Sequence, residues 1–201
     1  MTPILIPGHG GKINGVYQTY GKRSPKHMKQ LGFNKTYYEG VGNRWIVNRI
    51  KEIMDRYEMP YYEVATGPED MGLQKRVNEI NKIYAKDPNV YSLEIHSNAG
   101  GGTGVEGYTT VGETASDEIC EVFLADLENR FPTLTHRHEK HDSDRDKERN
   151  FYVIRNTKSP AILLEWLFMD NSEDLIKLWD YQWIDRFAQQ LVKTIGKLQK
   201  Q

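Results

Sequence analysis

The chain has 201 residues, with 27 Lys and Arg against 28 Asp and Glu, so its formal net charge is −1. With this balance, no strong overall field attracts the chain to nucleic acids or anionic membranes. Charged residues at 27% and aromatic residues at 11% are typical of a soluble globular domain and exclude a disordered chain.

Targeting signals are not evident in the sequence. The N-terminus lacks a basic region followed by a long apolar core, and no apolar run approaches the length that spans a bilayer. Cys120 is the only cysteine, so an intrachain disulfide is impossible. We therefore expect a protein that is made in the reducing cytoplasm without a signal peptide and binds neither membranes nor nucleic acids. We also expect a monomer, although no residue pattern in the sequence determines the oligomeric state.

Short apolar runs alternate with helical patterns along the chain, which predicts an α/β fold. The predicted strands are 4–6, 61–65, 90–96, 105–111 and 161–165, with a weaker one at 151–154. Four apolar stripes at helical spacing begin at Ile46, Leu73, Ile119 and Trp183 and predict four helices. Their members are Ile46, Ile50, Ile53 and Tyr57; Leu73, Val77, Ile80 and Tyr84; Ile119, Val122, Phe123 and Leu127; and Trp183, Phe187, Leu191, Ile195 and Leu198.

The chain is predicted to form one domain over residues 1–201, because no flexible linker divides it. We expect a central, mostly parallel or mixed twisted sheet with helices on both faces. Thr114, followed three residues later by Asp117, predicts a capping box at the start of the third helix. Two polar stretches, 11–35 and 133–150, are predicted to be long loops.

Three chemically reactive side chains stand at the ends of predicted strands. His9 follows the first strand among glycines, His96 ends the run VYSLEIH, and Glu165 ends AILLE. Because open α/β sheets place their sites at the carboxyl ends of the strands, we expect these three residues to meet at one edge. Each alone is more often a hydrogen-bonded scaffold residue, but three together favour a functional site.

Two histidines and one carboxylate are the ligand set of hydrolytic zinc sites. The short H-E-x-x-H motif is absent, so the ligands must come from separate elements. The residues alone do not identify the carboxylate that completes the set. The candidates are Glu39, Glu63, Glu94 and Glu106.

The chain resembles the zinc-dependent N-acetylmuramoyl-L-alanine amidases of the type 3 family, from about Pro3 to Leu198. Four motifs carry the resemblance, in order: PGHGG (7–11), YYEG (37–40), LEIHSNAGGGTGVEGY (93–108) and SPAILLEWLFMDN (159–171). A weaker match is LQKRVNEIN (73–81), through Leu73, Arg76 and Asn81.

The resemblance implies that His9, Glu39 and His96 bind Zn²⁺ and that Glu165 is the catalytic carboxylate. It also implies hydrolysis of the amide between N-acetylmuramic acid and L-alanine in peptidoglycan, by a phage endolysin or an autolysin that acts on the wall after release. We expect no separate cell-wall-binding domain. The family usually has an aspartate directly before Pro-Gly-His, and here that position is Ile6.

Two other classes remain open. Two histidines and a carboxylate also suit a non-haem Fe(II) enzyme, and metal analysis separates the two. A non-catalytic peptidoglycan-binding module is the third class, but its expected sign, loss of Glu165 or of a ligand, is not seen.

Several further residues have a structural interpretation that we favour. His136, His138 and His141 could form a second metal site, but we expect a solvated, mobile charge cluster. Cys120 could be a nucleophile, but we expect a buried residue within a helix. The glycines at 100–102 suit a tight turn or a close approach by substrate. Residues 22–25 could contact an acidic stem peptide, but we expect a solvated loop.

Overall fold

A computed structural model of the protein describes residues 1–26, 28, 32, 34–139 and 144–200. Its strands are β1 (Thr2–Pro7), β2 (Lys12–Ile13), β3 (Val16–Tyr17), β4 (Tyr62–Glu63), β5 (Val90–Asn98), β6 (Val105–Thr109), β7 (Lys147–Glu148) and β8 (Ala161–Phe168). Its helices are α1 (Glu39–Arg56), α2 (Leu73–Lys86), α3 (Ala115–Arg130), α4 (Tyr152–Asn156), α5 (Ser172–Trp179) and α6 (Tyr181–Gln199).

A six-stranded sheet in the order β4-β1-β5-β8-β6-β7 forms the centre of the fold. The strands β4, β1, β5 and β8 run parallel, whereas β6 pairs antiparallel with β8 and parallel with β7. The parallel register of β1, β5 and β8 brings their carboxyl ends to one edge. The predicted mixed sheet in an α/β domain is confirmed.

Alternation of side chains along each strand divides the core into two layers. Leu5, Leu93 and Leu164 pack in the larger cluster with helices α1, α3, α5 and α6. Ile4 and Ile6 point to the opposite face, where α2 and α4 cover the sheet. Helices therefore lie on both faces, as predicted. Within the described residues, no helix is both long enough and apolar enough to cross a membrane.

The weaker predicted strand, 151–154, is wrong because this segment forms helix α4. Val153 and Ile154 are adjacent, and both are buried in different apolar clusters. A strand would turn adjacent side chains to opposite faces, whereas one helical turn lays both over the sheet. The apolar, β-branched composition of the segment favoured the strand prediction.

The predicted loops contain regular structure as well. Residues 11–35 include the hairpin β2–β3, and residues 133–150 include β7, which extends the main sheet. The predicted capping box at Thr114 and Asp117 is confirmed at the start of α3. Helix α5, which the stripes did not indicate, begins at Ser172 and is capped by the side chain of Asn171.

The contact between Trp166 and Phe187 ties the sheet to α6. Both side chains are fully buried, and their rings stack with centroids 3.7 Å apart. Phe187→Ala should lower the free energy of unfolding by about 3–5 kcal/mol, because it leaves a cavity against a ring that cannot collapse into it. Urea denaturation measures the change.

The control for this substitution is Tyr20→Ala, at a side chain that is 98% exposed. It should leave the urea midpoint nearly unchanged, because it removes no buried contact. Equal losses in the two variants would contradict the role given to the Trp166–Phe187 stack.

Candidate functional site

His9, Glu39 and His96 come together at the carboxyl edge of the sheet. His9 follows β1, Glu39 is the first residue of α1, and His96 lies near the end of β5. Their side chains are 19%, 3% and 13% exposed, so the group is nearly enclosed but reachable from solvent. The expected convergence of the two strand-end histidines is therefore seen.

One carboxylate oxygen of Glu39 lies between the two imidazoles. Glu39 Oε1 is 3.1 Å from His9 Nε2 and 2.9 Å from His96 Nδ1. One ligand atom from each of the three residues lies within 4.8 Å of the other two, and no other such group occurs among the described residues. His9 Nε2 is buried without a well-directed hydrogen bond. The donor set and this unsatisfied atom fit a bound metal ion.

The charges of the group are strongly coupled. Burial alone would raise the pKa of Glu39, but its contacts with His9 and His96 outweigh burial and lower the pKa to about 2. Burial alone would lower the pKa of His96, but hydrogen bonds with Glu39 and Glu94 raise it to about 10. Both shifts arise because the buried carboxylates are stabilised by positive charge beside them. A bound cation would also supply this positive charge.

Two glycines permit this close packing. A Cβ atom on Gly8 would lie 2.2 Å from the His96 ring, and a Cβ atom on Gly40 would lie 2.0 Å from the Gly10 carbonyl oxygen. Gly8 therefore lets His96 lie against the backbone that follows β1. Gly40 lets the start of α1 reach the glycine loop, residues 8–11. The glycines around His9 are required by close approach of backbone and side chain.

The backbone of His9 is in the left-handed region, with φ of 62°. Arg44 holds this conformation by donating from Nη1 to the His9 carbonyl oxygen at 2.7 Å, and its other nitrogens reach the carbonyls of Ala65 and Gly67. Asn43 donates from Nδ2 to the carbonyl oxygen of Gly8. Neither residue was predicted from the sequence, although both follow Glu39 by four to five residues on α1.

The segment before Glu39 is also fixed. Tyr37 is buried, its N–H donates to the Ser24 hydroxyl, and its own hydroxyl is 2.9 Å from that of Ser97, next to His96. The Glu39 N–H donates to the Lys22 carbonyl oxygen. The expectation that residues 22–25 are solvated loop is therefore wrong at Ser24, which is buried and anchors the entry to α1.

Glu165 on β8 stands beside the His9–Glu39–His96 group and is paired in register with His96 on β5. Its Oε2 is buried without a hydrogen-bond partner in the described structure. Burial raises the pKa of Glu165 to about 8, and the nearby carboxylates of Glu39 and Glu106 act in the same direction. A carboxyl group with a pKa near neutrality can both accept and donate a proton.

A cavity of about 290 Å³ opens in front of these residues. Its walls combine the histidines and Glu165 with side chains of the first loop, α2 and α4. The lining residues are His9, Lys22, Asp70, Leu73, Arg76, Glu94, His96, Phe151, Tyr152, Val153, Leu163 and Glu165.

The other three carboxylates that the sequence left open are not part of the His9–Glu39–His96 group. Glu63 pairs with Lys51 at the edge strand β4. Glu106 accepts hydrogen bonds from Asn98 and Tyr108 and pairs with Arg137 and Lys147. Glu94 pairs with Arg76. Its Oε1 lies 3.4 Å from His96 Nε2, the ring nitrogen that faces away from Glu39.

The remaining candidates are structural where the structure describes them. Cys120 is fully buried in α3, as predicted, and burial raises the pKa of its thiol. His136 is half-buried and its Nε2 lies 3.0 Å from the Phe131 carbonyl oxygen, and the Nε2 atom of His138 is also buried, so the expected solvation of this cluster is wrong at both residues. His141 lies outside the described residues. Asp170 accepts hydrogen bonds from the N–H groups of Gly100 and Gly101, which fixes the turn after His96.

Replacing Gly8 tests the packing of His96. Gly8→Ala should weaken the affinity for a divalent metal ion by about 10-fold or more, because the new methyl group displaces the His96 ring. Gly196→Ala, on helix α6, is the control. Its methyl group would lie 3.5 Å from the side chain of Met59, an ordinary van der Waals distance. Competition with a chromogenic chelator measures the affinity, and equal values for the two variants would contradict the argument.

Known proteins share both the sequence pattern and the fold. The family described as N-acetylmuramoyl-L-alanine amidase matches residues 4–197. The amidase CwlM of Bacillus licheniformis is 35% identical over a match that spans 61% of this chain and 44% of that relative. The chain therefore matches less than half the length of this relative.

Solved structures show the same fold at lower identity. The N-acetylmuramoyl-L-alanine amidase from Clostridium difficile 630 has a TM-score of 0.74 at 21% identity, covering 99% of this chain and 96% of that one. The catalytic domain of CwlV from Bacillus (Paenibacillus) polymyxa has a TM-score of 0.72 at 23% identity, covering 100% and 99%. Since the family match spans nearly the whole sequence, the chain belongs to the N-acetylmuramoyl-L-alanine amidase family, as its four motifs predicted.

Proposed function

We propose that the protein hydrolyses the amide bond between N-acetylmuramic acid and L-alanine in peptidoglycan, with Zn²⁺ held by His9, Glu39 and His96. The observation that carries this proposal is the placement of Glu165, a carboxyl group with a raised pKa, beside a two-histidine, one-carboxylate group. Family membership supports the choice of bond.

Zinc suits the donor set better than a hard cation does. Mg²⁺ and Ca²⁺ prefer oxygen ligands, whereas two imidazoles and one carboxylate are typical of a catalytic zinc site. Such an ion, when bound, polarises the scissile carbonyl group and lowers the pKa of an attacking water. The chain supplies three ligands, and the cavity gives substrate access to them.

Glu165 supplies the proton transfers. It accepts a proton from the attacking water and returns a proton to the nitrogen of the departing L-alanine. Its half-buried position matters because burial keeps its pKa near the working pH, whereas an exposed glutamate would be a much weaker base. Lys22, Phe151 and Tyr152 line the same cavity and are available to contact the substrate.

The products of digestion test the proposed bond. Purified peptidoglycan treated with the protein should gain free L-alanine amino termini without gaining reducing sugar ends. Mass analysis of the fragments and a reducing-end assay measure the two quantities. New reducing ends would identify a glycosidase and overturn the proposal.

Zinc content tests the ligand assignment. The purified protein should hold about one Zn²⁺ per chain, and His9→Ala and His96→Ala should each lose most of it, because two remaining ligands bind zinc weakly. His136→Ala is the matched control and should keep its zinc. Elemental analysis decides the case: full occupancy in both site variants would reject the assignment, and iron in place of zinc would reassign the chemistry.

Glu165→Gln separates proton transfer from metal binding. The substitution keeps the shape of the side chain and removes the titrating group, so the rate of hydrolysis should fall by about 10²–10⁴-fold. The zinc content and the thermal midpoint should remain near those of the wild type. A near-normal rate would reject Glu165 as the acid–base residue, and loss of zinc would make it a ligand.

A further inference from the structure

The sequence departs from the family pattern at Ile6, where an aspartate usually precedes Pro-Gly-His. Ile6 is fully buried, and it packs with Ile4 and with Ile80 of α2. Position 6 is therefore part of an apolar layer and offers no polar contact to the histidines. A carboxylate that supports the site must come from another strand.

Glu94 on β5 is the register partner of Ile6 on β1. Parallel strands in register turn paired side chains to the same face, about 4.8 Å apart. Glu94 therefore places a carboxylate on the face of the sheet to which position 6 points. It is 2% exposed, so it could not be kept there as a charge without partners.

Those partners are Arg76 and His96. Arg76, on α2 and also 2% exposed, donates from Nη1 to Glu94 Oε1 at 2.5 Å. The same oxygen lies 3.4 Å from His96 Nε2. Because His96 Nδ1 faces Glu39, the imidazole is held from both sides, and Glu94 lies on the side opposite the proposed metal.

We propose that Glu94, fixed by Arg76, is the positioning residue that holds the His96 ring with Nδ1 toward the metal and Nε2–H toward its own carboxylate. The inference rests on the proposed zinc site. Metal-bound histidines commonly donate their second N–H to a carboxylate, which sets the tautomer and ring orientation. In this chain the carboxylate comes from β5, next to the apolar position on β1.

The test measures Zn²⁺ affinity by chelator competition, independently of activity. Glu94→Gln should weaken binding by about 10–100-fold while the protein stays folded. It should lower kcat more than it raises KM, because the substrate contacts remain. The control is Asp174→Asn, another buried carboxylate, which accepts hydrogen bonds from the N–H groups of Gly104 and Phe168. That variant should lower the thermal midpoint but leave the affinity for Zn²⁺ unchanged.

A rescue variant keeps the test decisive if Glu94→Gln folds poorly. Glu94→Asp keeps a carboxylate on the same face of β5 and places no new charge in the apolar layer of Ile4, Ile6 and Ile80. Folded Glu94→Asp should bind Zn²⁺ at least about 10-fold more tightly than Glu94→Ala. Failure of this rescue, or a Kd within about threefold of wild type in folded Glu94→Gln, would overturn the inference. Absence of Zn²⁺ binding in the wild type would instead refute the proposed function.

Discussion

The candidate site depends on one shared atom, the Oε1 oxygen of Glu39, which lies about 3 Å from a nitrogen of each histidine. The ends of β1 and β5 and the start of α1 must therefore meet at one point. The sheet register places His9 and His96 on neighbouring strands, and the start of α1 brings Glu39 over them. The close approach of α1 requires Gly40, since any side chain there would strike the glycine loop.

Two glutamates a short distance apart acquire opposite acid–base properties from their surroundings. Glu39 is buried with two histidines, which lower its pKa to about 2. Glu165 is buried near other carboxylates, and both its burial and their negative charge raise its pKa to about 8. The first therefore remains an anion suited to hold a cation, and the second can exchange a proton near neutral pH. The division of labour follows from the partners of each carboxylate.

The strand-end residues could be predicted from the sequence because they depend on local pattern. Buried strands ending in His9, His96 and Glu165 are visible as apolar runs, and parallel sheets bring such ends together. The choice of Glu39 among four glutamates required the resemblance, because no local pattern shows which helix start turns toward the edge. Arg44 and the Glu94–Arg76 pair escaped prediction because their contacts join residues that are 18 to 35 positions apart.

One face of the sheet changes from apolar on β1 to polar on β5, and this change explains where the supporting carboxylate can lie. Residues 4 and 6 of β1 are isoleucines, whereas residues 92, 94 and 96 of β5, on the same face, are serine, glutamate and histidine. The boundary between the apolar layer under α2 and the polar site therefore runs between β1 and β5. A carboxylate at position 6 would lie on the apolar side of this boundary, where it would displace a fully buried Ile6 from its contact with Ile80. At position 94 the carboxylate reaches both Arg76 and His96 without disturbing that layer. Since register partners in a parallel sheet share a face, the carboxylate at position 94 lies on the face of the site while Ile6 stays in the core.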